Sequence, residues 1–104
     1  MERKAFNELV TTTMLDTIGA VLGSSVSQAF AQYLQVHRGL SIDEIPDHLD
    51  VISTCLKDSF GVGGGTLERA FVRTLYRKTG VQLSSSERST KVLVEELKRN
   101  LGAV

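Results

Sequence analysis

The sequence predicts a small all-α domain, a bundle of four to five helices. Three observations carry that expectation. Pro46 is the single proline in 104 residues. The glycines gather at segment ends instead of interrupting apolar patterns. Apolar residues recur three and four apart, and no segment sustains the apolar-polar alternation of a strand.

The elements follow in order, with helices expected near residues 3–22, 25–38, 47–60, 66–79 and 86–101. In the first, Phe6, Val10, Met14 and Ile18 form a stripe. The run Thr11-Thr12-Thr13 weakens its propensity, because β-branched side chains lose rotamer freedom in a helix. Gly23 ends it. The second opens on Ser25-Val26-Ser27-Gln28, which reads as a capping box, and carries Phe30, Tyr33, Leu34 and His37 to Gly39. Ser41-Ile42-Asp43-Glu44 repeats the capping pattern. Pro46 then restrains Ile45 from the α region, so a one-turn helix, a corner and a new helix are expected. That new helix carries Leu49, Ile52, Leu56 and Phe60. Gly63-Gly64-Gly65 reads as a flexible turn before Leu67, Ala70, Phe71 and Leu75. Ser84 and Glu87 suggest a last capping box before Leu93, Leu97 and Leu101.

A single core is expected from Phe30, Leu34, Leu49, Ile52, Leu56, Leu67, Phe71 and Leu75. The chain reads as one domain over residues 1–104, with a core unit near 22–83. The helix of residues 1–22 is added to that unit, and the serine-rich connection makes residues 84–104 a mobile arm.

Twelve basic residues balance twelve acidic ones. A nucleic-acid or membrane-surface protein usually carries a clear basic excess, so balance argues against both unless a local patch exists. Cys55 is the only cysteine. It allows no intrachain disulfide and fits a cytoplasmic chain, and a lone cysteine is by default a small buried hydrophobe. The N-terminus turns polar again at Asn7-Glu8, so no signal-peptide core is expected. The longest apolar run, Ile18 to Leu22, is far too short for a bilayer.

Little in the chain resembles catalytic chemistry, and no enzyme, cofactor or metal is expected. The glycine run precedes a helix, as phosphate loops do, but lacks both a preceding strand and a Lys-Ser/Thr pair. His37 and His48 are the only histidines, fewer than the three protein ligands usual for catalytic zinc. Ser53 and Ser59 have no evident base.

Charge is sorted by helix. Between Leu40 and Phe60 five acids oppose Lys57; between Gly61 and Gly80 four cations, Arg69, Arg73, Arg77 and Lys78, oppose Glu68. Spacing of four puts the arginines on one helical face. The plain reading is a solvated face with some helix-to-helix pairing. The functional readings are a docking or anion-binding face for an acidic partner, or a nucleic-acid contact. A helix-turn-helix would use this helix as its reader, but the glycine turn is long for that motif.

The stretch Leu22-Gly23-Ser24-Ser25-Val26-Ser27-Gln28-Ala29-Phe30 opens a layout. It continues through Tyr33-Leu34, Gly39-Leu40-Ser41-Ile42-Asp43-Glu44-Ile45-Pro46 and Leu56-Lys57-Asp58-Ser59-Phe60-Gly61. Leu67-Glu68-Arg69-Ala70-Phe71 and Leu75-Tyr76 complete it. It resembles the Nitrosopumilus-type output domains, a small archaeal helical family with a similar proline corner. The likeness covers about Leu22 to Leu83 and implies a cytoplasmic signalling output module. The triple glycine departs from the charged turn of that family, and the likeness carries over no catalytic residue.

The expected function is a non-enzymatic protein-interaction or regulatory module. The alternative is a helical nucleic-acid-associated protein using the basic face. Self-association as a homodimer is expected through Leu9, Leu15, Ile18 and Leu22. The first helix holds more large apolar side chains than one buried stripe needs, and exposed apolar patches often mark interfaces.

Overall fold

The computed structural model describes residues 1–84 and 87–103. Helix α1 spans Arg3–Leu22, α2 Ser24–Arg38, α3 Leu49–Phe60, α4 Val62–Thr79 and α5 Thr90–Asn100, with a 3-10 helix over Ile42–Asp47. Among the described residues there is no strand, so the all-α expectation holds.

Two of the joints are a single residue long. Gly23 links α1 to α2 with φ 98° and ψ 154°, and Gly61 links α3 to α4 with φ 57° and ψ −130°. Neither backbone state is open to a side chain at small cost, so glycine at these positions is what lets one helix reverse directly into the next. The direct joint at Gly23 displaces the expected capping box: α2 has no side-chain cap. The Ser27 hydroxyl instead donates to the Leu15 carbonyl across the joint (2.8 Å).

The proline corner forms, but one residue pair later than expected. Pro46 lies within the 3-10 helix, where it removes one backbone donor, and the chain breaks at His48 (φ −133°, ψ 40°) before α3 starts at Leu49. The Ser41–Glu44 capping box is present, with the Ser41 amide donating to Glu44 Oε1 at 3.2 Å.

The glycine run is a helical turn and not a flexible connection. Helix α4 begins at Val62, and of these glycines only Gly61 has positive φ. A Cβ on Gly64 would stand 2.7 Å from the Leu56 carbonyl oxygen. Absence of a side chain there lets α4 lie directly on the backbone of α3.

All eight residues expected in the core are buried in one cluster. That cluster also takes in Phe6, Val10, Met14 and Ile18 of α1 and Leu93, Val94 and Leu97 of α5. Residues 22–83 are therefore not a core to which two helices are added. Helix α1 packs against α2, α4 and the 3-10 helix, and α5 packs against α3 and α4. The Tyr76 hydroxyl donates to the Leu93 carbonyl at 2.7 Å, tying α5 to α4, so the described part of the expected arm is docked.

Helix α5 starts later than its serine cluster suggests. Ser89 is its cap, accepting from the Val92 amide at 3.3 Å. Ser85 and Ser86, on which the expected connection, the helix start and part of the Ser84–Glu87 box fall, lie outside the described residues.

The threonines of α1 offset their weak propensity by bonding. The Thr11 hydroxyl donates to the Ile42 carbonyl (3.2 Å) and that of Thr17 to the Thr13 carbonyl (2.7 Å). Thr13 Oγ1, wholly buried, accepts from Lys78 Nζ at 3.3 Å. A hydroxyl can face a packed helix only with such partners.

Burial pushes the Tyr76 phenol above its ordinary value, outweighing the Arg88 guanidinium that pulls it down. With its folded value raised, the neutral phenol stabilises the fold at all pH below the unfolded value near 10, and that contribution is lost as pH rises through the folded one. Tyr76→Phe should cost about 1 kcal/mol at neutral pH through the lost bond to Leu93. It should also remove part of the alkaline destabilisation. Thermal melts of both proteins from neutral pH to above pH 10 would check this; identical alkaline slopes would contradict it.

Candidate functional site

Helical spacing puts Gly65, Glu68, Arg69, Val72 and Arg73 along one side of α4. Ser53 and Lys57 sit four apart on α3. These residues line a pocket of about 270 Å³ that is closed on its third side by Leu83, Arg88 and the start of α5 at Ser89, Thr90 and Leu93. Helices α3 and α4 and the link before α5 thus bring four cations, Lys57, Arg69, Arg73 and Arg88, around one carboxylate, Glu68.

Glu68 is held by hydroxyls. Its Oε1 accepts from Thr90 Oγ1 at 2.8 Å and from Ser53 Oγ. These bonds join α3, α4 and α5 through one oxygen and lock α5 where its N-terminus faces the pocket. Ser53 therefore does have a carboxylate beside it, unlike what the sequence suggests. No imidazole lines the pocket, so the relay that activates a serine nucleophile is missing from this wall.

The cations differ in their partners. Arg88 pairs with Glu96. Arg69 donates to the Thr66 hydroxyl at 3.4 Å. Among the described residues the ion pairs are Arg88–Glu96 and an exposed Arg38–Asp58 contact at 3.8 Å. Lys57, Arg69 and Arg73 therefore have no acidic partner there. The sorted charges of the 3-10 helix, α3 and α4 are not paired with one another: Asp58 turns to Arg38 of α2, and among the described residues Asp43, Glu44, Asp47 and Asp50 form no ion pair.

The expected basic face is split by the structure. Arg69 and Arg73 line the pocket, but Arg77 does not. Lys78, one residue further round the helix, is drawn to Thr13 of α1. Lys57 and Arg88 join the arginines instead. The sequence counts Lys57 only as the minority charge of an acidic segment, and it puts Arg88 in the first turn of a helix over 86–101, whereas the structure leaves it in the link before α5. Beyond the Arg69/Arg73 repeat on α4, the one readable signal for this wall is the spacing of four between Ser53 and Lys57 on α3.

The candidate self-association surface is not a shared exposed patch. Ile18 is completely buried, and Leu9 and Leu15 are half-buried against the core. Leu22 alone of the four is exposed, at 42%, beside Val21. The reason is the number of partners α1 has: helices on several sides cover several stripes, so its apolar residues are not in surplus.

His37 is exposed, with its ring tilted 35° against that of Tyr33 (centroids 4.8 Å apart), whereas His48 lies in the chain break. Cys55 is buried. Among the described residues no group of His, Cys, Asp and Glu is placed to hold a metal ion, and no helix is long and apolar enough to cross a membrane.

No protein-family model, curated protein or solved structure matches the chain.

Proposed function

We propose that this chain is a non-enzymatic interaction or regulatory module that docks an acidic protein partner at the corner formed by α3, α4 and α5. The observation that carries this reading is the convergence of Lys57, Arg69 and Arg73 without an acidic partner among the described residues. Unpaired cations on a rigid helical wall attract an acidic segment and orient it, chiefly by speeding and steering encounter. The likeness of residues 22–83 to Nitrosopumilus-type output domains supports the regulatory side of the reading. Zero formal net charge speaks for a local protein contact over a nucleic-acid one, for which a basic excess is usual. Self-association through α1 has little surface to use, since of Leu9, Leu15, Ile18 and Leu22 only Leu22 is exposed.

A labelled glutamate-rich peptide and a labelled DNA duplex, each titrated with the protein over a salt series, test this. The peptide should bind at low salt, and Lys57→Glu with Arg73→Glu should weaken it by roughly tenfold or more. Both positions are exposed, so helical content should not change. Peptide binding unaffected by the reversal would overturn the reading. Preferential duplex binding with a steep salt slope would establish the nucleic-acid alternative.

A further inference from the structure

The pocket is more than a basic surface, because its charges, donors and walls are selective. Three cations lining it form no ion pair among the described residues, and of the lining residues Glu68 contributes the one negative charge. The fourth cation, Arg88, is already offset by Glu96. The wall therefore carries an uncompensated charge of about two positive, by simple count of three against one. A carboxylate would neutralise half of it. A phosphate monoester, carrying nearly two negative charges at neutral pH, would neutralise all of it.

The donor geometry agrees with the charge. Arg69 and Arg73 offer planar forks suited to phosphate oxygens, while Lys57 supplies a point charge from the facing helix. Helix α5, eleven residues long, directs its N-terminal end at the same space, with Ser89 and Thr90 in the lining. The positive end of a helix adds to the attraction for an anion. Glu68 is turned into the wall by the Ser53 and Thr90 hydroxyls that hold its Oε1. Val72, Leu83 and Leu93 supply an apolar side, which suits the carbon stem that an ester has and inorganic phosphate lacks.

We infer that the pocket between α3, α4 and α5 is a binding site for a phosphate monoester group, held by Lys57, Arg69 and Arg73 at the N-terminus of α5. The inference rests on the reading of this corner as the contact surface and names the group that anchors there. That group can arrive on a small phosphorylated molecule or on a phosphorylated side chain of the acidic partner.

The test uses the intact isotope-labelled chain and backbone amide NMR shifts. Free O-phosphoserine, serine and acetate are titrated at matched ionic strength, followed by the glutamate-rich peptide with and without one phosphoserine. O-phosphoserine should give saturable shifts at Arg73, Ser89 and Thr90, whereas serine and acetate should not. Arg73→Gln should weaken that binding at least tenfold, and Arg69→Gln should do the same. A Lys98→Gln control, away from this pocket, should leave it unchanged. Circular dichroism of each variant separates lost binding from lost fold.

Tighter binding of the phosphorylated peptide than of O-phosphoserine supports the site and assigns its source to a partner side chain. Equal binding supports the site and assigns it to the group itself. Linear, unsaturable shifts with O-phosphoserine, or shifts as large with acetate, overturn the inference. If the unphosphorylated acidic peptide still binds in that case, the docking reading survives alone. Saturable O-phosphoserine binding without any peptide binding would retain the pocket and remove the acidic partner.

Discussion

Phe71→Ala should destabilise the fold by about 3–5 kcal/mol. Phe71 is completely buried and is among the largest such side chains in the molecule. Its removal takes away the transfer free energy of the ring and leaves a cavity that neighbours on rigid helices fill only in part. Helix α4, which carries it, packs against α1, α3 and α5, so collapse around the gap would have to move several elements at once. A domain of this size has roughly 5–15 kcal/mol of total stability, so the loss is a large share of it. Each kcal/mol corresponds to roughly 4–8 °C of melting temperature in a domain near this length. Urea unfolding followed by helical signal would measure the change. Val36→Ala is the control: Val36 is 69% exposed, and its truncation should stay within about 0.5 kcal/mol of the parent. A Phe71→Ala midpoint equal to the parent's would mean that the core is not the one described.

Gly64→Ala and Gly65→Ala should have opposite signs although the residues are adjacent on one helix. Alanine is favoured over glycine in a helix by up to about 1 kcal/mol. At Gly65 nothing opposes this, since a Cβ would meet only the flexible end of Arg69 at 3.6 Å. That variant should gain up to about 1 kcal/mol. At Gly64 the Cβ would lie 2.7 Å from the Leu56 oxygen, 2.8 Å from its carbonyl carbon and 3.0 Å from the Lys57 nitrogen. These are backbone atoms and cannot swing aside. Helices α3 and α4 would have to part close to the single residue that joins them, where they have least freedom to do so. Overpacking of this kind costs typically 1–3 kcal/mol, which exceeds the propensity gain. Gly64→Ala should therefore unfold at lower urea than the parent and Gly65→Ala at higher. Matching shifts in the two variants would show that the close crossing is not what glycine serves there.

The two glycines also mark where reading from sequence stops. A run of three glycines before an apolar stripe has the composition of a flexible turn, and local propensity supports that reading. Only the docking of α4 on α3 makes the run helical: Gly64 admits the close crossing, and the buried face from Leu67 to Tyr76 offsets the weak propensity of the first turn. The same distinction separates Ile18 from Leu22. Both are apolar positions of one helix, but their exposure depends on which sides α2, α4 and the 3-10 helix cover.

Arg69 and Arg73 are legible as neighbours because the helical repeat places residues four apart on one side. No comparable rule brings Lys57, Glu68, Arg88 and Thr90 together, since they belong to different helices and a serine-rich link. The spacing of apolar residues determined by itself that the chain is helical and that Phe30, Leu34, Ile52, Leu56, Phe71 and Leu75 turn inward, and the single proline determined that Pro46 accompanies a corner. Those properties follow from 3.6 residues per turn and from the rigidity of proline, both local. Tertiary structure decided which apolar faces stay uncovered, which cations share a pocket and which glycine admits a second helix. Those depend on how helices dock, and a repeat within one helix says nothing about the residues of the next.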